Sequence, residues 1–233
     1  MTIKIENKWV PLIITRLTGF MVVYLLSSLN LSVQIERLPE EIEAKIRTYR
    51  IIPDLLEESP NETIAVKYIG GFSLDLGEEL VPKDLKEEPH HIRFPAEDDY
   101  HYSLLFIDID VPSRKNPNER SYLQWLKVNI NGSEARDCKI HGEEIAEYVA
   151  PNPQNGTGFH RFIYLAYRHP KGKALAFDEP FLHKTPENDP RRSHFSAHHF
   201  ARKYNLGKPI ALNFFIAEWK PYYDDDEKLE EGI

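Results

Sequence analysis

Residues Tyr102–Pro117 read YSLLFIDIDVPSRKNP. The run Tyr102–Ile107 is almost wholly apolar and has the length of one strand. A strand apolar on both sides must be covered on both, so the run predicts a central strand within a sheet. It ends on Asp108 and Asp110, two carboxylates that alternation along an extended chain points to the same side. They have two readings. They can cap a turn into Ser113-Arg114, because aspartate is a common turn former, or they form a paired-carboxylate site at the end of a rigid strand, able to receive a cation or an amine.

Outward from this run, Leu123–Ile130, Phe162–Tyr167 and Ile210–Trp219 repeat the pattern of a covered strand. Thr63–Ile69 (TIAVKYI) alternates as a half-buried strand does; Gly70-Gly71 supplies a turn and Phe72–Leu76 a returning strand. Pro39–Tyr49 has Ile42 and Ile46 at helical spacing. Pro53 and Pro60 bracket an extended segment. Ser193–Tyr204 places Phe195, His199 and Phe200 on one helical face. Several covered strands and few helices predict a mostly β fold, a sheet sandwich or barrel with short peripheral helices.

The bulk properties agree. Apolar residues make up 41% of 233 and charged residues 28%, enough for a packed core and too ordered a composition for a disordered chain. No repeat, linker or composition break follows residue 35, so residues 33–233 read as one domain. A net charge of −8 argues against nucleic acid as a partner, which needs a basic face. The acidic end 224–231 reads as a solvated tail. A lone cysteine, Cys138, excludes an intrachain disulfide.

The first 32 residues look like a leader. Lys4, Lys8 and Arg16 precede the uncharged run Leu17–Leu26 (LTGFMVVYLL), of signal-peptide length. A membrane anchor and a cytoplasmic extension are the other readings. Four Asn-x-Ser/Thr sequons, at Asn30, Asn61, Asn131 and Asn155, exceed the about one expected by chance and favour a secreted protein. Asn30 lies too near the end of the leader to count, which leaves Asn61, Asn131 and Asn155 as glycosylation candidates.

Two further polar features stand out. Pro151–His160 (PNPQNGTGFH) is a constrained loop, either a structural turn or a backbone nest for an anion. His194 and His198 stand four apart, but no third ligand accompanies them, so solvated histidines are preferred over a metal site. No nucleophile elbow or other catalytic constellation occurs.

Together, LLFIDIDVPSRKNP (104–117), RSYLQWLKVN (120–129), GTGFHRFIYLAY (156–167), FARKYNLGKP (200–209) and the Ala217-Glu-Trp219 end resemble, in order, the motifs of the phosphatidylethanolamine-binding proteins, also called Raf kinase inhibitor proteins. The likeness runs from about residue 50 to 223, and the leader resembles that of secreted insect-type members. It implies a β-sandwich of a large central and a smaller sheet with a few short helices. It also implies a non-catalytic, monomeric protein without cofactor or metal. Its small pocket would take a phospholipid head group or another small anionic or amphipathic ligand. The alternative is an inhibitor of a kinase or serine protease. Carried over, the pocket comprises Asp108, Asp110, Pro112, Gln124, Asn152, His160 and Phe162. Four positions depart from the family pattern. Ile109 replaces proline, Gln124 a histidine, Asn152 a glycine and Phe162 a tyrosine. Losing a charge-assisted and a neutral donor removes about 2–4 kcal/mol of anion affinity, which predicts a retuned ligand preference.

Overall fold

A computed structural model describes residues 3–5, 8–10, 37–138, 140–184 and 189–221. The chain divides into two units, 1–38 and 39–233. Within the first, β1 (Ile3–Ile5) and β2 (Lys8–Val10) pair antiparallel. The Leu17–Leu26 run, Asn30 and the acidic end 224–231 lie outside the described residues. No helix among the described residues is long and apolar enough to cross a membrane.

The second unit is built on a seven-stranded sheet. Its strands are β3 (Glu62–Thr63), β5 (Glu78–Glu79), β7 (His101–Asp108), β8 (Tyr122–Asn131), β9 (Glu143–Ala146), β10 (His160–Arg168) and β11 (Ala211–Ala217). The order is β3-β11-β10-β7-β8-β9, with β5 also on β11. The quoted run is therefore a central strand, flanked antiparallel by β10 and β8. Its side chains divide as the sequence requires. Leu105 and Ile107 join one core cluster, Leu104 and Phe106 the other. The first cluster lies under α1 (Pro39–Thr48) and α4 (Ala197–Lys203), which contribute Ile42, Ile46, Ala197, Phe200 and Ala201. The second lies under a two-stranded sheet of β4 (Ala65–Lys67) and β6 (His91–Arg93), through Val66 and Ile92. Helices cover one face and a small sheet the other. A helical turn, α2 (Ile51–Asp54), follows α1, and α3 (Gly132–Arg136) follows β8.

Four sequence expectations need correction. Thr63–Ile69 is two strands, because the chain passes from the large sheet to the small one at Ile64. Phe72–Leu76 follows the Gly70-Gly71 turn but is not a strand. It returns antiparallel on β4 only through a bridge at Ser73–Lys67, with Tyr68 N donating to Phe72 O and Leu74 N to Val66 O. The buried Asn213 amide holds its far end: its Oδ1 accepts from Leu76 N and its Nδ2 donates to Leu74 O. Pro53 lies in the helical turn α2 rather than in an extended segment. The last helix starts at Ala197, capped by Ser196 Oγ on His199 N, so Phe195 precedes it and His199 faces solvent.

Candidate functional site

The chemistry gathers where β7 and β10 meet their loops. Asp108 pairs across the sheet with Phe162, and Ile109 N still donates to Arg161 O, after which the chain bends away. Successive residues of β10 then face opposite ways. His160 and Phe162 lie with the small-sheet cluster, while Arg161 turns to the helix side.

His160 is buried and held at both ring nitrogens. Its Nδ1 lies 2.7 Å from Asp108 Oδ2 and its Nε2 lies 2.9 Å from Thr157 Oγ1. The Thr157 hydroxyl donates to Gln154 O at 2.7 Å, so its oxygen accepts from Nε2–H. One further proton then lies between Nδ1 and Asp108. Burial works against charge on His160, but the hydrogen bond and the charge of Asp108 outweigh it and raise its pKa above the ordinary histidine value. Burial likewise raises the Asp108 carboxyl, against the pull of His160.

The second carboxylate has a different partner. Asp110 N donates to Asp108 Oδ1, a local turn that swings the Asp110 side chain towards Arg161. Arg161 donates from N and Nε to Asp110 Oδ2, at 3.0 and 2.7 Å, and from Nη2 to Oδ1 at 2.5 Å. Its Nη1 reaches Tyr49 O, Arg50 O and Asp54 Oδ2. Asp108 thus caps the turn while Asp110 pairs with Arg161; both sit at the strand end, but they do not present a shared open face.

Gln124 is one strand over. The β7–β8 register pairs Phe106 with Trp125 and Ile107 with Leu123, leaving Gln124 as the extra residue of a β-bulge. Leu123 and Leu126 join the helix-side cluster and Trp125 the other, so the bulge breaks the alternation of the strand at Gln124. Arg192, fully buried, steadies this bulge through Nη1 to Leu123 O and Gln124 O. Gln124 is 4% exposed, and its Oε1 is buried without a hydrogen-bond partner among the described residues. A buried acceptor left unmade costs about 1–3 kcal/mol.

The remaining expected residues scatter. Phe162 is completely buried, stacked on Phe215 at 5.2 Å and tilted against Phe106. It backs the imidazole of His160 at 6.3 Å rather than lining open space. Pro112 and Asn152 are exposed in the flanking loops. Gly156 and Gly158 both take positive φ, with open space where a Cβ would stand. Of the sequons, Asn61 and Asn155 are exposed, whereas Asn131 Oδ1 caps α3 by accepting from Ser133 N. His194 and His198 are exposed, and His194 lies outside α4. Sequence reasoning missed Thr157, Arg161 and Arg192. The first two stand in the quoted GTGFHR stretch, but only the strand register assigns their partners.

Comparisons with known proteins agree with this architecture. The family profile described as phosphatidylethanolamine-binding protein matches residues 30–215. "Putative odorant-binding protein A5" of Drosophila melanogaster is 31% identical over 194 residues, spanning 83% of this chain and 88% of that one. A 26 kDa secreted antigen of Toxocara canis is 28% identical over 168 residues, spanning 72% of this chain and 61% of the antigen. Among solved structures, carboxypeptidase Y inhibitor in complex with its cognate proteinase has the same fold. It superposes with a TM-score of 0.65 at 20% identity, over 78% of this chain and 97% of the inhibitor. The chain belongs to the phosphatidylethanolamine-binding protein family.

Proposed function

We propose that this protein is a non-catalytic binder of small head groups that carry a hydrogen-bond donor, such as the ammonium of phosphorylethanolamine. The observation that carries the reading is the Gln124 Oε1 acceptor, buried and without a partner among the described residues, on the strand next to the one that ends at Asp108. An ammonium or hydroxyl satisfies it at no cost to the protein's own bonds. A bare anion fares worse, because both His160 nitrogens already have partners in Asp108 and Thr157. The anionic end of a zwitterion would rest on the loop around Gly156 and Gly158, both exposed, at positive φ and with no neighbour where a Cβ would stand. The substitution of histidine by Gln124 thus moves preference from the anion to the donor.

The test is calorimetric titration of the full chain with phosphorylethanolamine, ethanolamine and inorganic phosphate. Phosphorylethanolamine is expected to bind about 10-fold tighter than phosphate, one charge-assisted hydrogen bond's worth. Equal affinity for the two would refute the reading. An inhibitor of a kinase or protease remains the rival; it rests on likeness of fold and on no residue of this chain.

Export is part of the same proposal. Exposed Asn61 and Asn155, and a relative named as a secreted antigen, support it. The intact mass of the native protein tests it: glycan mass on Asn61 or Asn155 is expected, and an unmodified, unprocessed chain would contradict it.

A further inference from the structure

Arg192 ends the turn Pro190–Arg192, and its guanidinium is fully buried against carbonyls alone. Nη1 donates to Leu123 O at 3.0 Å and to Gln124 O at 3.4 Å, the two residues at the bulge of β8. Nη2 donates to Leu182 O and His183 O, each at 3.0 Å. Nε is buried and meets no acceptor among the described residues. Carbonyl dipoles satisfy hydrogen bonds, but they do not cancel a unit charge.

The carboxylates near enough to act on Arg192, those of Asp189 and Glu147, are engaged elsewhere. Asp189 is clamped by Arg191, whose Nη2 lies 2.6 Å from its Oδ2, and Glu147 accepts from Lys184 N. Burial lowers the Arg192 pKa, yet an arginine keeps its proton at any physiological pH. The bulge therefore carries an uncompensated positive charge where the dielectric is low and salt screens poorly. Gln124 Oε1 shares that field. Its own backbone oxygen is 3.4 Å from Arg192 Nη1, and a glutamine side chain reaches about 6 Å further at most, so Oε1 lies within about 10 Å of the charge.

We infer that Arg192 determines the specificity of the head-group site: its unneutralised charge rejects simple ammonium ions and admits an ammonium only when the same ligand carries a phosphate. This rests on the reading of Gln124 above and narrows its ligand class to zwitterions of net negative charge. Repulsion between unit charges about 10 Å apart, at an effective dielectric of about 20, weakens a bare ammonium about 10-fold. In phosphorylethanolamine the phosphate offsets that repulsion within the ligand.

The test is calorimetric titration of the full chain, and of its Arg192→Lys and Arg192→Gln variants, with phosphorylethanolamine and ethanolamine. Wild type is expected to prefer phosphorylethanolamine by about 10-fold or more. Arg192→Lys keeps the charge but loses most of the bonds, so both affinities fall together and their ratio holds. Arg192→Gln removes the charge and is expected to lower the ratio about 10-fold. A purely structural residue would move both affinities in parallel in either variant. An unchanged ratio in a folded Arg192→Gln protein, or an equal fall of the ratio in Arg192→Lys, would overturn the inference. Wild type supplies a readout that needs no variant: ethanolamine is expected to bind no tighter than ethylene glycol, its neutral isostere, and tighter binding of ethanolamine would overturn the inference as well. Failure of the head-group reading shows separately, as equal affinity for phosphorylethanolamine and phosphate. Failure of the Arg192 inference leaves that preference intact and alters only the comparison with ethanolamine.

Discussion

Arg161 meets Asp110 edge to edge, with Nε 2.7 Å from Oδ2 and Nη2 2.5 Å from Oδ1, and both side chains are completely shielded from solvent. The same guanidinium reaches Tyr49 O, Arg50 O and Asp54, so one buried cation ties the end of β7 to α1 and α2.

Removing one partner strands the other charge. Asp110→Ala is expected to lose about 3–5 kcal/mol of folding stability. Urea denaturation checks this. A loss below 1 kcal/mol would mean that the pair is not the anchor described. Asp108, whose partner is a histidine, is expected to tolerate Asp108→Asn with a smaller loss.

Asn213 gives the second prediction. Its amide accepts from Leu76 N and donates to Ile64 O and Leu74 O, replacing strand pairing at the crossover between sheets. Asn213→Leu keeps the branching of the side chain but leaves these buried backbone groups unpaired, at a cost of about 3 kcal/mol. Thermal unfolding measures it, and an unchanged Tm would contradict the role.

His169 sets a pH dependence. Its Nε2 lies 2.8 Å from Ser103 Oγ and its Nδ1 3.2 Å from Lys173 O, and burial lowers its pKa to about 4. The folded state resists protonation more than the unfolded chain, whose value is near 6.5. Stability is therefore complete above about pH 6.5 and falls as the pH drops towards 4. The contribution is about 2 kcal/mol after allowance for residual solvation. Urea midpoints of wild type and His169→Gln should converge as the pH falls through this window. Parallel profiles would contradict the assignment.

Much of this fold was legible because it rests on local patterning. Tyr102–Ile107 could only be a covered strand, and Ile42 and Ile46 could only share a helix face. What was not legible depends on partners distant in sequence. Phe72–Leu76 reads as a strand; it bridges β4 only at Ser73, and the Asn213 side chain, distant in sequence, bonds its Leu74–Leu76 end. Asp108 and Asp110 alternate as a same-side pair, yet a local turn sends Asp110 to Arg161. The residues of the site were visible one by one in the motifs. The pairing of Asp110 with Arg161, of Asp108 with His160, and the isolation of Gln124 Oε1 needed the register and the bulge.

Gln124 should show the opposition between stability and binding that marks a functional residue. Gln124→Leu removes the unpartnered acceptor and is expected to raise folding stability by about 1 kcal/mol while it abolishes phosphorylethanolamine binding. A variant both less stable and still binding would mean that the amide is structural.

The central claim is most directly tested at that side chain. The amide resonances of Gln124 are followed by NMR while phosphorylethanolamine is added to the full-length protein. A saturable shift of the Gln124 side-chain signal, accompanied by His160, is the predicted result. Binding that leaves Gln124 unmoved, or no binding at all, would contradict the account.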